Sequence, residues 1–308
     1  MKTASTTRFA LAAAALLTLS AQDGHAAIVI QESFDYGGSN SSLAGLGTAG
    51  SGWGGSWATQ GVTYTGSPTF NEAYQSTGLT FSTLGVSGGS AMLSANGDGF
   101  INAGRAHTAA ITGTLYGSYL FKTSSPSFTG LYSVFEGTSM GLASASAQYA
   151  IEPDGYASSN GGVITGGAYT YASGTPISAN ETYLALYKVT NLGGSSVSQD
   201  ATMWLLRESQ YDSFITGGLT EAELNSASLG SGATDVLQRA TRTITGSAAF
   251  ANGGLMMMQS YFATNGQFDE LRVSDTSLDE LVLGSVPEPS RALLAALGIV
   301  GLILRRRR

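Results

Sequence analysis

The chain has 308 residues, no cysteine and 42 glycines, and its 21 acidic side chains outnumber its 14 basic ones. Residues 27–286 carry 19 acidic and 7 basic side chains, a net charge of −12. A surface of that charge repels nucleic acid and anionic lipid, so no nucleic-acid partner is expected. An acidic surface of this kind favours calcium or neutral glycans as ligands. Without disulfides, a secreted domain depends on its core size or on bound metal for stability.

The first 26 residues have the pattern of a secretory signal peptide. Lys2 and Arg8 precede an apolar run over residues 9–19, and a small-x-Ala cleavage site ends at Ala26. We therefore expect residues 1–26 to be removed. The remaining body suits one large all-β domain or two small ones.

Short apolar stretches separated by turn residues follow in the mature chain. Residues 27–36 are rich in β-branched residues and predict a first strand, and a Gly- and Ser-rich loop follows over residues 37–56. Turn residues then recur at intervals typical of a sandwich or barrel. Further short strands are predicted over residues 62–64, 79–84, 90–94, 115–122 and 131–136.

The second half of the chain gives stronger signals. Residues 182–189 and 200–207 predict a hairpin whose strands are joined by a polar Gly- and Ser-rich loop. Thr220 and Glu223 have the spacing of a capping box, which predicts the start of a brief helical turn. Alternating or apolar stretches follow over residues 241–245, 254–261 and 268–274, and a short helix is expected to begin within residues 277–280.

The order of these signals resembles the secreted LamG-like, concanavalin-type jelly-roll sandwich. The stretch Glu32-Ser33-Phe34-Asp35 with its Gly-Trp loop, the hairpin of residues 183–204 and the stretch 268–273 carry the resemblance. It spans most of residues 27–284 and implies an all-β jelly-roll sandwich whose first and last strands lie near each other. It says little about activity. The alternative is a parallel β-helix, which secreted Gly-, Ser- and Thr-rich chains also adopt.

Few side chains are suited to catalysis. Residues 27–286 contain one histidine, His107, in a polar stretch where a surface position is expected, and a zinc site of several His or Cys ligands is excluded. A glycoside hydrolase needs two carboxylates about 5–10 Å apart. No two acidic side chains are expected on the same face of one strand with aromatic residues beside them. We therefore expect no catalytic residue and no enzyme, with a glycoside hydrolase as the alternative.

Calcium is the one metal that the composition permits, because it takes oxygen ligands from carboxylates and carbonyls. If the first and last strands are neighbours, Glu32 or Asp35 could share an ion with Asp269. The resemblance also implies a structural calcium in such a place. Alternatively, these acids cap turns or pair with Arg272.

Two tryptophans, Trp53 and Trp57, close the Gly-rich loop. Their rings are suited to stacking on sugars, which makes them candidates for a glycan-binding platform. The alternative is that they plug one end of the sandwich beneath the loop.

The C-terminal residues combine a Pro-Glu-Pro tripeptide, an apolar run over residues 292–304 and a basic end. A helix needs about 20 apolar residues to cross a bilayer, so this run is short for a permanent anchor. The basic end is expected to stay on the cytoplasmic side. The residues that define the signal are Val286, Pro287, Glu288, Pro289, Arg305, Arg306, Arg307 and Arg308.

This order of elements resembles the PEP-CTERM sorting domain of Gram-negative bacteria, the presumed substrate of exosortase. The resemblance covers residues 286–308, within a C-terminal segment that we place at 285–308. It implies transient insertion of an apolar helix into the inner membrane and removal of the tail. The protein would then reach the cell surface or extracellular matrix, beside exopolysaccharide. A plain C-terminal tail anchor with a proline hinge is the alternative.

Overall fold

The computed structural model describes residues 28–47, 49–124, 129–133, 149–152, 162–165, 168–193, 197–246, 250–261 and 265–283. The expected signal peptide and the expected sorting segment lie outside these ranges. Within them the protein consists mainly of β-strands, with three short helices.

The elements follow one another along these ranges with short connections. The strands are β1 (Ile28–Glu32), β2 (Ala58–Thr63), β3 (Thr69–Gln75), β4 (Ser90–Asn96), β5 (Gly99–Ala106), β6 (Gly113–Thr123), β7 (Thr129–Ser133), β8 (Tyr149–Glu152), β9 (Gly162–Thr165), β10 (Ala168–Tyr171), β11 (Ser173–Gly174), β12 (Thr182–Leu192), β13 (Val197–Leu206), β14 (Gln238–Gly246), β15 (Leu255–Tyr261) and β16 (Asn265–Ser274). The helices are α1 (Glu208–Gly217), α2 (Glu221–Ser226) and α3 (Asp279–Leu283).

The strands form two sheets. The nine-stranded sheet has the order β11-β14-β13-β12-β6-β16-β4-β3, with β1 also paired to β16, and the seven-stranded sheet has the order β10-β9-β8-β7-β15-β5-β2. The chain crosses repeatedly between the sheets, and every pairing between two of these strands is antiparallel. The predicted all-β jelly-roll sandwich is therefore confirmed. The β-helix alternative is wrong, because its strands would pair in parallel.

The main core lies between the two sheets. Phe121 and Tyr183 of the nine-stranded sheet stack there, with ring centroids 5.5 Å apart, and share a core cluster with Ile101, Met256 and Met258 of the seven-stranded sheet. Alternation along each strand places every second side chain in this layer. Full burial of each such side chain contributes about 1.5–3 kcal/mol.

A second core covers the outer face of the nine-stranded sheet. The three helices pack there against side chains that include Leu184, Leu186 and Trp204. The Trp204 side chain is fully buried and its indole donates a hydrogen bond of 3.0 Å to Asn225. The central hairpin of β12 and β13 is thus buried on both faces, which explains its nearly continuous apolar sequence.

The first and last strands are neighbours, as the resemblance implied. Strand β1 runs antiparallel to β16, and Ile28 lies opposite Ser274. The N-terminal and C-terminal strands of the sandwich are therefore hydrogen-bonded neighbours in one sheet.

Residues 79–84, expected as a strand, form a loop that lies over the nine-stranded sheet. Leu79, Phe81 and Leu84 are buried in the second core, and the backbone N–H of Leu79 donates to Asp269 rather than to a neighbouring strand. The alternating apolar pattern therefore reflects burial of every second or third side chain, without pairing in a ladder.

The Gly-rich loop contains a position that only glycine fits. Gly52 has φ +78°, and a Cβ at this residue would collide with the carbonyl oxygen of Val29 in β1. Replacement by alanine therefore strains the loop and its contact with the first strand. We expect Gly52→Ala to lower the free energy of unfolding by on the order of 1–3 kcal/mol in chemical denaturation.

The matched control is Gly55→Ala in the same loop. Gly55 has no left-handed φ, and a Cβ there would meet nothing within 4 Å. Equal stability of the two variants would contradict the proposed strain at Gly52.

Candidate functional site

Arg105 of β5 holds the Gly-rich loop against the sandwich. Its side chain is 2% exposed and forms an ion pair with Glu32 of β1, which is fully buried. The same guanidinium donates to the carbonyl oxygens of Gly55 at 2.7 Å, Ala49 at 3.0 Å and Gly47. One side chain thus connects the first strand, the seven-stranded sheet and three points of the loop.

Glu32 is satisfied on both carboxylate oxygens. It accepts hydrogen bonds from the backbone N–H of Phe34 at 2.8 Å and from the hydroxyl of Tyr36 at 2.9 Å, besides its pair with Arg105. Burial raises the pKa of Glu32, and the charge of Arg105 opposes that effect. These contacts give Glu32 a structural role, which is to hold the Gly-rich loop in place.

The two tryptophans of the loop occupy different environments. Trp57 is 2% exposed, stacks on Phe34 at 5.7 Å and donates to the Tyr36 hydroxyl at 2.7 Å. Trp53 is partly buried, donates to the carbonyl oxygen of Gln31 at 2.9 Å and has the guanidinium of Arg105 4.9 Å from its ring centre. The interpretation of Trp57 as an exposed glycan platform is wrong, because its ring is enclosed. Both rings plug the sandwich beneath the loop.

Asp269 lies in a second buried cluster, on β16. Its carboxylate accepts the backbone N–H groups of Leu79 at 2.8 Å and Glu270 at 2.7 Å. The neighbouring Glu270 pairs with Arg272 at 2.7 Å and accepts the N–H of Ser87 at 2.6 Å. Glu270 has φ +48° at an irregularity in the pairing with β6, which brings adjacent acids to one side of the strand. Burial, reinforced by the charge of Glu270, raises the pKa of Asp269 to about 8.

Glu32, Asp35 and Asp269 are not gathered into a shared calcium site. Glu32 contacts Arg105 between the sheets, whereas Asp269 contacts Leu79 in the loop over the outer face, and Asp35 is exposed. Among the residues with described positions, no group of three or more His, Cys, Asp or Glu side chains could hold a metal ion. The three acids do not fit a common ion, and Asp269 instead caps a loop while Arg272 pairs with Glu270.

His107 follows β5 and is fully buried, whereas the sequence favoured a surface position. Its imidazole stacks on Phe250 with ring centres 4.0 Å apart, and Nδ1 lies 2.9 Å from the carbonyl oxygen of Ala109. Nδ1 must therefore carry the proton in the neutral ring, and Nε2 is buried without a partner. Burial lowers the pKa of His107 to about 4, so the ring is neutral at physiological pH.

The seven-stranded sheet carries a feature that sequence reasoning missed. On β5, Ile101 and Ala103 point into the core, and on β15 Met258 does the same. Alternation places the intervening Asn102 and the adjacent Gln259 on the opposite, outer face. The register sets Asn102 beside Gln259 on one side and beside Gln60 of β2 on the other. We call Gln60, Asn102 and Gln259 the amide row.

The amide row runs from an exposed end to a buried one. Gln60 is exposed, whereas Asn102 and Gln259 are fully buried. Neither amide atom of Gln259 has a hydrogen-bond partner. Near the exposed end, Tyr64 is 47% exposed, and its ring centre lies 5.5 Å from that of Phe100. The alternating stretch Gln60-Gly61-Val62-Thr63-Tyr64 could have indicated a strand. It could not indicate the row, because the strand that pairs with β2 is remote in the chain.

Other acidic side chains have structural contacts. Glu221 forms an ion pair with Lys188 at 2.7 Å, and Glu223 completes the predicted capping box with Thr220 at the start of α2. The residues of the expected sorting signal, 286–289 and 305–308, lie outside the described ranges. No helix within those ranges is long and apolar enough to span a membrane.

Comparisons with known proteins give distant structural similarities. No family model and no curated protein matches the chain. Among solved structures, the cellulose-induced protein Cip1 is 9% identical with a TM-score of 0.39, and the match covers 71% of this chain and 91% of Cip1. The exoplasmic/lumenal domain of VIP36, in a form bound to Ca2+ and Man3GlcNAc, is 11% identical with a TM-score of 0.37, over 75% and 92% of the two chains.

The PL-14 alginate lyase from Aplysia kurodai is 10% identical with a TM-score of 0.36, over 63% of this chain and 85% of the lyase. All three TM-scores are below 0.5. What these proteins bind or degrade therefore does not extend to this chain.

The buried pair of Arg105 and Glu32 gives a stability prediction. We expect Arg105→Met to lower the free energy of unfolding by about 3–5 kcal/mol, because it leaves an uncompensated buried carboxylate. Adding Glu32→Gln removes that charge, so the double variant should be more stable than the sum of the single changes implies. Denaturant unfolding of all four proteins would measure this coupling.

The control for these Arg105 and Glu32 variants is the more exposed pair of Lys188 and Glu221, whose side chains are 20% and 35% exposed. Lys188→Met should cost no more than about 1 kcal/mol. Equal costs for Lys188→Met and Arg105→Met would contradict the central role of Arg105.

The pKa values of Asp269 and His107 predict opposite pH effects. Between pH 6.5 and 8 folded Asp269 retains a proton that the unfolded chain has lost, so its contribution to stability falls as pH rises. Below pH 6.5 the unfolded chain protonates its histidine before the folded protein does, so the contribution of His107 falls as pH decreases. Each slope is at most about 1.4 kcal/mol per pH unit.

We therefore expect Asp269→Asn to remove a decrease in unfolding free energy between pH 6.5 and 8 that the unaltered protein shows. The measurement is denaturant unfolding at several pH values. Asp275→Asn, at an exposed position after β16, is the control and should preserve the decrease. If the unfolding free energies of Asp269→Asn and the unaltered protein changed with pH in the same way, a protonated Asp269 would be ruled out.

Proposed function

We propose that this protein is an exported, non-enzymatic component of the cell surface or extracellular matrix of a Gram-negative bacterium. The observation that carries the proposal is the three-part C-terminal sequence of residues 286–308, which begins directly after the folded sandwich. The last described helix, α3, ends at Leu283, and Pro287 follows four residues later. An exosortase-type enzyme is the proposed partner at Pro287-Glu288-Pro289.

The structure of α3 supports a sharp division between body and tail. Arg272 donates to the carbonyl oxygen of Leu281 at 2.8 Å, and the Tyr211 hydroxyl donates to that of Val282 at 3.0 Å. Leu281 and Val282 are themselves buried in the second core. The sandwich thus holds its own C-terminal helix in place, and removal of the residues beyond it would leave these contacts intact.

The absence of enzymatic activity belongs to the same proposal. The buried acids Glu32, Asp269 and Glu270 each accept backbone N–H groups or pair with arginine. Such contacts favour a structural role for these acids. Transient inner-membrane insertion and association with exopolysaccharide complete the proposed sequence of events.

A second candidate function is carbohydrate binding within that exopolysaccharide. It is favoured by the exposed aromatic ring of Tyr64, which directly follows β2. An exposed aromatic ring offers an apolar face and a polar edge, which suits contact with a sugar ring. This function would act after sorting and does not depend on how the tail is cut.

The sorting proposal predicts loss of the tail in the exported protein. We expect intact-mass and C-terminal peptide analysis of surface and medium fractions to show that residues after the Pro-Glu-Pro region are missing. Pro287→Ala combined with Pro289→Ala should leave the tail attached, whereas Ser290→Ala is the neighbouring control and should be processed normally.

The location of the protein distinguishes the remaining outcomes. A mass above that of the trimmed chain would identify an added lipid or glycan at the new C-terminus and would support processing. An intact tail found only in the inner membrane would contradict the proposal and favour a plain tail anchor.

A further inference from the structure

We propose that the outward edge of β2 pairs with β2 of a second copy of this chain, so that two seven-stranded sheets join into one continuous sheet. Strand β2 lies at the end of its sheet, and within the described ranges β5 is its only strand partner. This self-association goes beyond the proposed export and does not depend on how the tail is cut.

Alternate residues of β2 direct their backbone groups away from the sheet. The N–H of Tyr64 donates toward β5, to the carbonyl oxygen of Asp98 at 2.9 Å. The N–H of Trp57 donates in the other direction, to the carbonyl oxygen of Leu46 at 2.7 Å. Such directions alternate along an antiparallel strand. The odd-numbered residues of β2 therefore direct their N–H and C=O groups outward, and they are Thr59, Gly61 and Thr63.

This outward edge is open to solvent. Gly61 is exposed, and because it has no side chain, the exposed atoms belong to its backbone. Thr63 is also exposed, and Thr59 is partly buried. No backbone hydrogen bond within the described part of the chain reaches the outward groups of these three residues. An uncovered strand edge of this kind is a template for pairing with another chain.

The neighbouring edge of the nine-stranded sheet, at β3, is covered by the chain itself. Ser41 of the Gly-rich loop and Tyr74 of β3 exchange backbone hydrogen bonds of 3.2 and 2.8 Å. The loop then crosses to Trp57 and leaves β2 uncovered. Natural edge strands are often protected by charge, proline or a bulge. Strand β2 has none of these.

The sequence of β2 is complementary to itself in an antiparallel pair. A two-fold axis at Gly61 sets Thr59 opposite Thr63 of the partner subunit, so every outward N–H and C=O group of both strands gains a partner. On the outer face, Gln60 then lies opposite Val62 of the partner subunit. Cross-strand threonine pairs add to the stability of such a ladder. A shift of the register in either direction would leave some outward groups unpaired.

Tyr64 and Ala58 contribute a further contact at each end of the proposed pair. In the same register, the ring of Tyr64, which is 47% exposed, lies opposite Ala58 of the partner subunit. Ala58 is exposed and small, which leaves room for the ring. The contact would cover Tyr64, so pairing and sugar binding at this ring would compete.

Charge favours a second copy of this chain as the occupant. Residues 36–71 contain no charged side chain, whereas residues 27–286 together carry a net charge of −12. Two copies therefore repel each other over most of their surfaces, but not at β2. Salt screens such repulsion, so raising the salt concentration should strengthen this pairing. Pairing of β2 with a basic protein would instead weaken.

The proposed interface is small, because it consists of one pair of short strands. Interfaces that bury less than about 1,200 Å² in total form weak or transient complexes. We therefore expect a dimer that dissociates on dilution and becomes populated where the protein is concentrated.

The test is sedimentation velocity of purified full-length protein over a wide range of concentrations, at low and at moderate salt. We expect an equilibrium between monomer and dimer that shifts toward the dimer as salt is raised. The double variant Gln60→Lys with Val62→Lys should dimerise at least tenfold more weakly, because each lysine would face a lysine of the partner subunit.

A charge exchange tests the register. The double variant Gln60→Glu with Val62→Glu should also dimerise poorly with itself. When the lysine and glutamate variants are mixed, each lysine faces a glutamate, so a heterodimer should form at least tenfold more tightly than either homodimer. The apolar C-terminal run is the same in both proteins and cannot produce this difference.

Two further variants separate loss of the edge from other effects. Thr63→Pro removes one outward N–H but none of the bonds to β5, and it should weaken dimerisation without added charge. Ser209→Lys with Ser213→Lys adds the same charge at exposed positions of α1, on the other sheet, and should leave dimerisation unchanged. Thermal unfolding of each variant checks that the fold is retained.

Three results would overturn the inference. A monomer at every concentration and salt would reject self-association. A dimer that survives both Thr63→Pro and the lysine variant would place the contact elsewhere in the molecule. Failure of the mixed lysine and glutamate variants to form a heterodimer would reject the proposed register. None of these results bears on the sorting proposal, which peptide mapping tests separately.

Discussion

The buried pair between Arg105 and Glu32 is the interaction on which the organisation of this sandwich depends. A loop of small residues has too little side-chain surface to hold itself in place by packing. The guanidinium instead fixes it through the carbonyl oxygens of Gly47, Ala49 and Gly55, while its charge is balanced by Glu32. The Gly-rich loop at the surface is thus held by a buried ion pair beneath it.

The sequence predicted the architecture better than the chemistry. The hairpin of β12 and β13 and the capping box at Thr220 were predictable because neighbours in sequence create them. The roles of Arg105 and Asp269 were not, because their partners are 73 and 190 residues away along the chain. For the same reason a surface was expected at His107, although Phe250 covers its ring.

The candidate site shows this limit most clearly. The tryptophans stood out by residue type, yet burial of Trp57 decides against it as a platform. Gln60, Asn102 and Gln259 have no conspicuous local pattern and become a row only through the register of three strands. Uncharged amides are also inconspicuous in a composition that draws attention to acids and aromatics.

The pairing of β1 with β16 has a consequence for the order of folding. If the proposed export proceeds from the N-terminus, β1 would emerge first and the partner of that strand nearly last. Such a long-range closure is slow, so the edge of the sheet at β1 would stay incomplete throughout that export. If the proposed tail then holds the chain at the membrane, the sandwich closes while it is still tethered. Retention by the tail would thus give the protein time to complete its fold before release.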